Sequence, residues 1–421
     1  MTVIDLGELG HDELVDLPPR PPRPVGRQLR AALLTVLVLL TVAAAAPAPA
    51  RLARIPVPDL PEPAHLVVGD LLVLTGPRTL APTAGQLTAV DLADGRIRWR
   101  APLPDNQQLV VLDEVGDDMV VSTDPGGEPV TMLLDHADGR VRWRQPGSAV
   151  STGNGGLLLE DVEVDGVTVR GVDPASGAVR WSVGTGAATP GYRAGARGIE
   201  ELVLVTAAGR VEVYDVDTGV RRLTFAVPPA HGDSRELAQV AGDVLLVDEE
   251  PGRAAGYDLD TGRRRWVTPL VPHLGTPFAY SCGDAVCLGA PSGARVLDPV
   301  TGRLRWAADD WAPLFTVGDW LLGARADGQQ RESFALLDPA TGRVHADLGG
   351  WRLVQGRPGT TVFVTRPLAG GRQLLAELDV GSGALRVRDV LPERWELCSH
   401  HADVLVCWRR GDSLGVWRLP G

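Results

Sequence analysis

Four cysteines, eight histidines and a few paired acids are the side chains of this 421-residue chain best equipped for chemistry. Cys282 and Cys287 flank a Gly-Asp turn, and Cys398 and Cys407 flank a corresponding turn three repeats later. Four cysteines permit three pairings; disulfides closed locally across each turn fit an oxidising exterior. The rival is a metal site in "CSHH", using Cys398, His400 and His401. Successive side chains of a strand point to opposite faces, so no metal is assigned there. The pairs Asp117-Asp118, Glu249-Glu250 and Asp309-Asp310 sit at turns, where solvated loops are the default and a Ca²⁺ site the lesser reading. No Ser-His-Asp grouping, Gly-x-Ser-x-Gly elbow, P-loop or His-Glu-x-x-His motif occurs. No catalytic residue is assigned.

What must position these groups is a repeat. "LDPVTGRLRW" (297–306) has seven relatives along the chain, with leading aspartates Asp91, Asp135, Asp173, Asp215, Asp258, Asp298, Asp338 and Asp379, spaced 38 to 44 residues apart. A period of that size marks a repeat architecture. In the 297–306 copy, alternating "GARV" leads into Asp298, and "RLRW" alternates after it, which places Leu304 and Trp306 on one face. The two strands are joined by a tight loop. Asp298 accepts backbone N–H bonds one or two residues on, Pro299 presets φ, and Thr301 adds a hydroxyl. Gly302 supplies the positive φ such a loop requires. A glycine recurs four residues after every leading aspartate: Gly95, Gly139, Gly177, Gly219, Gly262, Gly302, Gly342 and Gly383.

Four residues after that glycine stands a tryptophan in five copies, Trp99, Trp143, Trp181, Trp266 and Trp306. Recurrence at equivalent positions reads as docking between neighbouring units rather than as a stacking platform for a sugar or cofactor. Leu223, Ala346 and Val387 replace it elsewhere, and weaker interfaces are expected there. A second turn, Gly-Asp, lies between hairpins in "VGDLLVL", "VGDDMVV", "AGDVLLV", "CGDAVCL" and "VGDWLLG". Each repeat therefore holds four strands. Four-stranded units of this length, stacked in sequence, close into an all-β propeller over residues 64–421.

"YDLDTGRRRW" and "LDPVTGRLRW" resemble the A-x-D-x-x-T-G-x-x-x-W signature of pyrroloquinoline quinone (PQQ)-type propeller repeats, and the resemblance spans most of the chain. It implies eight blades, with seven as the alternative. A trailing unit, 393–419, lacks the phrase and is expected to share a blade with N-terminal strands. In the enzyme branch of this family, PQQ sits on a Trp floor beneath a vicinal Cys–Cys disulfide, with Ca²⁺ held by Glu, Asn and Asp. This chain has no adjacent cysteines and only two asparagines, Asn106 and Asn154. The resemblance is therefore to the non-catalytic, membrane-anchored branch, with no cofactor.

Outside the repeats, residues 31–46 carry no charge, just short of the ~20 residues that span a bilayer. Arg20, Arg23, Arg27 and Arg30 precede the segment, so the positive-inside rule puts the N-terminus in the cytoplasm. The expected organisation is a cytoplasmic tail (1–30), a transmembrane signal anchor (31–49), a Pro-rich linker (50–63) and an extracytoplasmic propeller at the cell membrane. A cleaved signal peptide is the alternative. A net charge of −12 excludes nucleic acid as a partner. The function expected is a scaffold or sensor for an envelope or extracellular protein. The alternatives are a PQQ-dependent oxidoreductase and a glycan-binding module using Trp311, Trp320, Trp351 or Trp408.

Overall fold

The computed structural model describes residues 33–35 and the chain from 51 onward, apart from 59–62, 78–84, 104–107, 125–127, 164–165, 187, 230–237, 251, 270–277, 291–292, 327–331, 357–360, 410–412 and 420–421. Residues 51–421 form one unit built of β-strands. Eight consecutive sheets, each of four antiparallel strands, occupy residues 63–102, 108–146, 148–186, 188–226, 238–269, 278–308, 314–347 and 352–391. We number them blades 1 to 8. First strands touch in succession along blades 1 to 3 and along blades 4 to 7, which puts them at the axis.

Among the described residues the ring has nine blades, not the eight or seven expected. Each of the eight Asp-to-Gly hairpins completes a blade from its own four strands, and the trailing unit forms a further blade shared with an N-terminal strand, as expected. That unit supplies Leu397–His401, Val404–Arg409 and Ser413–Arg418, and Ala53–Ile55 completes the sheet from the other end of the chain. The pairs are Ala53↔Arg418, Arg54↔Trp417 and Ile55↔Val416. The count was one short because this shared blade carries no phrase of its own, and its N-terminal strand lies in the stretch read as a linker.

A four-stranded sheet has two faces and no means of burying either alone, so the core is divided among the interfaces. Among the described residues nine buried apolar clusters occur, and each joins two adjacent blades. The cluster that closes the ring sets Ile55, Val404 and Val416 of blade 9 against Leu72, Leu74 and Val90 of blade 1. His65 Nε2 of blade 1 lies 2.5 Å from Ser399 Oγ of blade 9. Arg418, also in blade 9, donates to the Leu92 carbonyl at 3.1 Å.

The expected transmembrane helix is also corrected. No helix among the described residues is long and apolar enough to cross a membrane. Of residues 31–49 only Leu33–Thr35 is described, as helix; the rest of that expectation lies outside the described residues, as does the 1–30 tail.

Ring closure through three residues makes Ile55, only 6% exposed, disproportionately important. Ile55→Ala should lower stability by about 2 kcal/mol, read as a shift of the denaturant midpoint. An exposed outer-strand control, Val344→Ala, should change it little.

Candidate functional site

The repeated hairpin is a closed electrostatic and packing module. In the 297–306 copy, Asp298 Oδ1 accepts the backbone N–H groups of Val300 and Thr301 at 3.2 and 2.8 Å, and the Thr301 hydroxyl at 2.8 Å. These donors lie two and three residues on, one further than expected. Gly302 adopts φ 66° and donates to the Asp298 carbonyl at 2.8 Å. The other seven leading aspartates accept the same Gly N–H bond, and their glycines share the positive φ.

The residue seven positions after the aspartate was not singled out in the sequence, although "RxRW" contains it. Here the strand bulges: Leu297 pairs with Leu304 and Val296 with Trp306, which leaves Arg305 out of the ladder. A bulge re-aims one side chain, and this one turns the arginine back to the aspartate. Arg142, Arg180, Arg222, Arg265 and Arg305 meet Asp135, Asp173, Asp215, Asp258 and Asp298 at 2.5 to 3.1 Å, and Arg98 meets Asp91 likewise. Four of them also reach the acid of the Gly-Asp turn: Asp70, Asp118, Asp243 and Asp284. The bulge overturns the expected shared face of Leu304 and Trp306. Leu304 is 54% exposed and Trp306 is 9% exposed.

The tryptophans dock on the next blade. Trp99, Trp143, Trp181, Trp266 and Trp306 donate through Nε1 to the carbonyls of His136, Pro174, Val216, Pro299 and Pro339 at 2.7 to 3.1 Å. Each acceptor follows the leading aspartate of the following repeat. The indoles cover Gly139, Gly177, Gly219, Gly302 and Gly342; a methyl carbon on Gly302 would sit 2.4 Å from the Trp266 ring. Where tryptophan is missing, Phe225 covers Gly262, the smaller Ala346 meets Gly383, and Pro56 covers Gly95 at the closure.

The remaining chemistry-bearing residues are absorbed structurally. Cys282–Cys287 and Cys398–Cys407 are disulfides, each local to its hairpin. Cys398 is therefore unable to ligate a metal beside His400 and His401. Among the described residues no group of three or more His, Cys, Asp or Glu could hold a metal ion. Asp118 pairs with Arg142, Glu249 with Arg264 and Asp309 with Arg295. Among the described residues the donor set that PQQ and Ca²⁺ require is not brought together. Both disulfides join non-adjacent cysteines, Asn154 bonds Thr152 and Gly156 in its own turn, and Asn106 lies outside the described residues. Trp311 and Trp351 lie under the guanidinium groups of Arg325 and Arg366, and Trp320 stacks on His345. Trp408 packs against the closing cluster.

One irregularity interrupts this ring. The first strand of blade 8 pairs with its own sheet only at Arg352–Leu353. The chain then crosses over, and Gln355–Gly356 runs parallel to Leu397–His401 of blade 9. The crossing leaves a cavity of about 740 Å³ between blades 7, 8 and 9. Its walls include Phe315, Leu322, Phe334, Val362 and Leu397, with Arg352, Glu396 and His400 as the ionisable members. Buried His400 Nδ1 has no hydrogen-bond partner, and burial, then His401, pushes its imidazole below the ordinary pKa. Gly356 lacks the side chain that would strike the His400 ring at 2.3 Å. Such a space can bind a small molecule.

Replacing Trp266, 6% exposed, by alanine should cost about 3 kcal/mol. Gly302→Ala should cost about 2 kcal/mol through strained backbone and collision with that ring. The two losses should be strongly non-additive in a denaturation cycle. Asp173, through Arg180 first and then Ser176, and Asp298, through Thr301 first and then Arg305, are held down to about 2. Both carboxylates therefore stabilise the fold at neutral pH, and that contribution is lost as pH falls from about 4 through about 2. Asp298→Asn should flatten the dependence of melting temperature on pH in that window.

Residues 114–245, and again 165–310, match the family model described as outer membrane protein assembly factor BamB. No curated protein matches the chain in sequence. Similar solved structures include BamB from Moraxella catarrhalis, at 17% identity over 87% of this chain and 100% of that one, TM-score 0.45. Quinohemoprotein alcohol dehydrogenase from Comamonas testosteroni has 13% identity over 77% and 72%, TM-score 0.44. A eukaryotic initiation factor, at 12% identity over 82% and 91% with TM-score 0.51, shares the fold. Through its eight in-phase hairpins and the matched segment, the repeated part of this chain belongs to the PQQ-like β-propeller repeat family.

Proposed function

We propose that the protein is a non-catalytic, extracytoplasmic binding scaffold of the cell envelope, whose axial face engages a partner protein. The match of residues 114–310 to a family model named for an outer-membrane assembly factor carries this reading. Two supports are independent of it. The two hairpin disulfides suit an oxidising compartment. Large apolar side chains are also exposed on the axial strands of blades 6, 7 and 9: Phe278 at 50%, Phe315 at 47% and Leu397 at 56%. Apolar residues gathered on an exposed face favour contact with another molecule. The closed hairpin modules leave the axis as the side where the repeat is broken, and loops and irregular strands are where binding concentrates.

A photo-crosslinker placed at Phe315 or Leu397 of the full chain, in its native envelope, should yield a discrete protein adduct. The same group at Val344, exposed on the outer strand of blade 7, should not. Recovery of no reproducible adduct from either axial position would remove the scaffold reading.

A further inference from the structure

Arg352 differs from the other half-buried arginines of the propeller. Arg170, Arg193, Arg265, Arg295, Arg305, Arg388 and Arg409 each lie beside a carboxylate, and Arg325 lies over the Trp311 ring. Arg352 has neither kind of partner among the described residues, yet it lines the cavity between blades 7, 8 and 9. A guanidinium that lines a cavity without a counter-charge is placed to receive an anion. The carboxylate in that wall, Glu396, is exposed and makes no ion pair with it.

The rest of the cavity is suited to hydrocarbon. Leu322, Phe334 and Val362 are 1%, 5% and 8% exposed and form its floor, and Phe315 and Leu397 stand exposed beside it. About 740 Å³ falls within the range of small-molecule sites, which are mostly apolar with a few fixed polar groups. Guanidinium pairs with carboxylate in a planar, two-bond geometry that ammonium does not match.

We propose that this cavity binds a small amphipathic acid, its carboxylate received by Arg352 and its hydrocarbon body held among Phe315, Leu322, Phe334 and Val362. His400, whose Nδ1 lacks a partner in the same wall, is a second polar group for an acidic ligand to satisfy. The site is a product of the strand crossing at 354–356, because a full-length first strand in blade 8 would pair with its own sheet there.

The test is titration calorimetry of the full chain at pH 8 with decanoate, and with 1-decanol as the uncharged counterpart. One saturable decanoate per chain is expected. Arg352→Gln should weaken decanoate by about tenfold and decanol by less than about twofold. Ala324→Phe, which fills the cavity from blade 7, should abolish both; if its melting curve shows that it does not fold, Val317→Phe replaces it. Absence of saturable decanoate binding overturns the proposal. So does decanoate binding that survives the filling substitution, or that ignores the loss of Arg352. The inference stands apart from the scaffold reading: the calorimetry needs no partner protein, and the crosslinking needs no acid.

Discussion

Face-to-face packing of one sheet on the next is the constraint on which this propeller depends. No blade buries its own faces, and the nine apolar clusters all lie between neighbours. The indole-on-glycine contact sets the spacing. Trp266 lies flat over Gly302 only because that glycine has no Cβ, and its N–H is satisfied by the Pro299 carbonyl one turn away. Apolar area, a close backbone approach and a hydrogen bond are thus collected at one point per interface. In such arrays stability is a sum of unit and neighbour terms, so interfaces covered by Ala346 rather than tryptophan contribute less.

The Asp–Arg bridge makes each hairpin fit for that role. Bulging the strand at Arg305 costs one ladder position but turns the guanidinium onto Asp298 and Asp284 together. The two turns at one end of the blade are thereby tied, and the following Trp306 is sent to the buried face. Exposed ion pairs add little one at a time. Their larger effect here is orientation: the bulge decides which side of the strand the indole occupies. The acids so engaged are also withdrawn from other duties.

The proposed binding sites lie where the module fails. At blade 8 the first strand deserts its sheet after Leu353 and pairs with blade 9. The result combines exposed apolar side chains, a cavity and an arginine that has no carboxylate partner among the described residues. A propeller fold is compatible with many activities, and this local departure is what sets one part of the ring apart from the rest. The quinone branch of the family needs a vicinal disulfide and a set of metal donors. This chain spends its cysteines on hairpins, Cys282 with Cys287 and Cys398 with Cys407.

The sequence by itself determined the hairpins. Asp, Gly and Trp at fixed offsets specify a turn and a docking group through interactions within ten residues, and local chemistry of that kind is visible in one dimension. The local disulfides were legible among the alternatives for the same reason. What lay beyond it was decided in three dimensions. The blade count depended on Ala53–Ile55 finding Val416–Arg418 at the far end of the chain. The face of Leu304 depended on a bulge that strict alternation does not foresee. The cavity depended on a parallel pairing between Gln355–Gly356 and a strand about forty residues later. The first and third leave no periodic mark, because they join strands distant in sequence; the bulge recurs in every hairpin, but alternation alone does not reveal it.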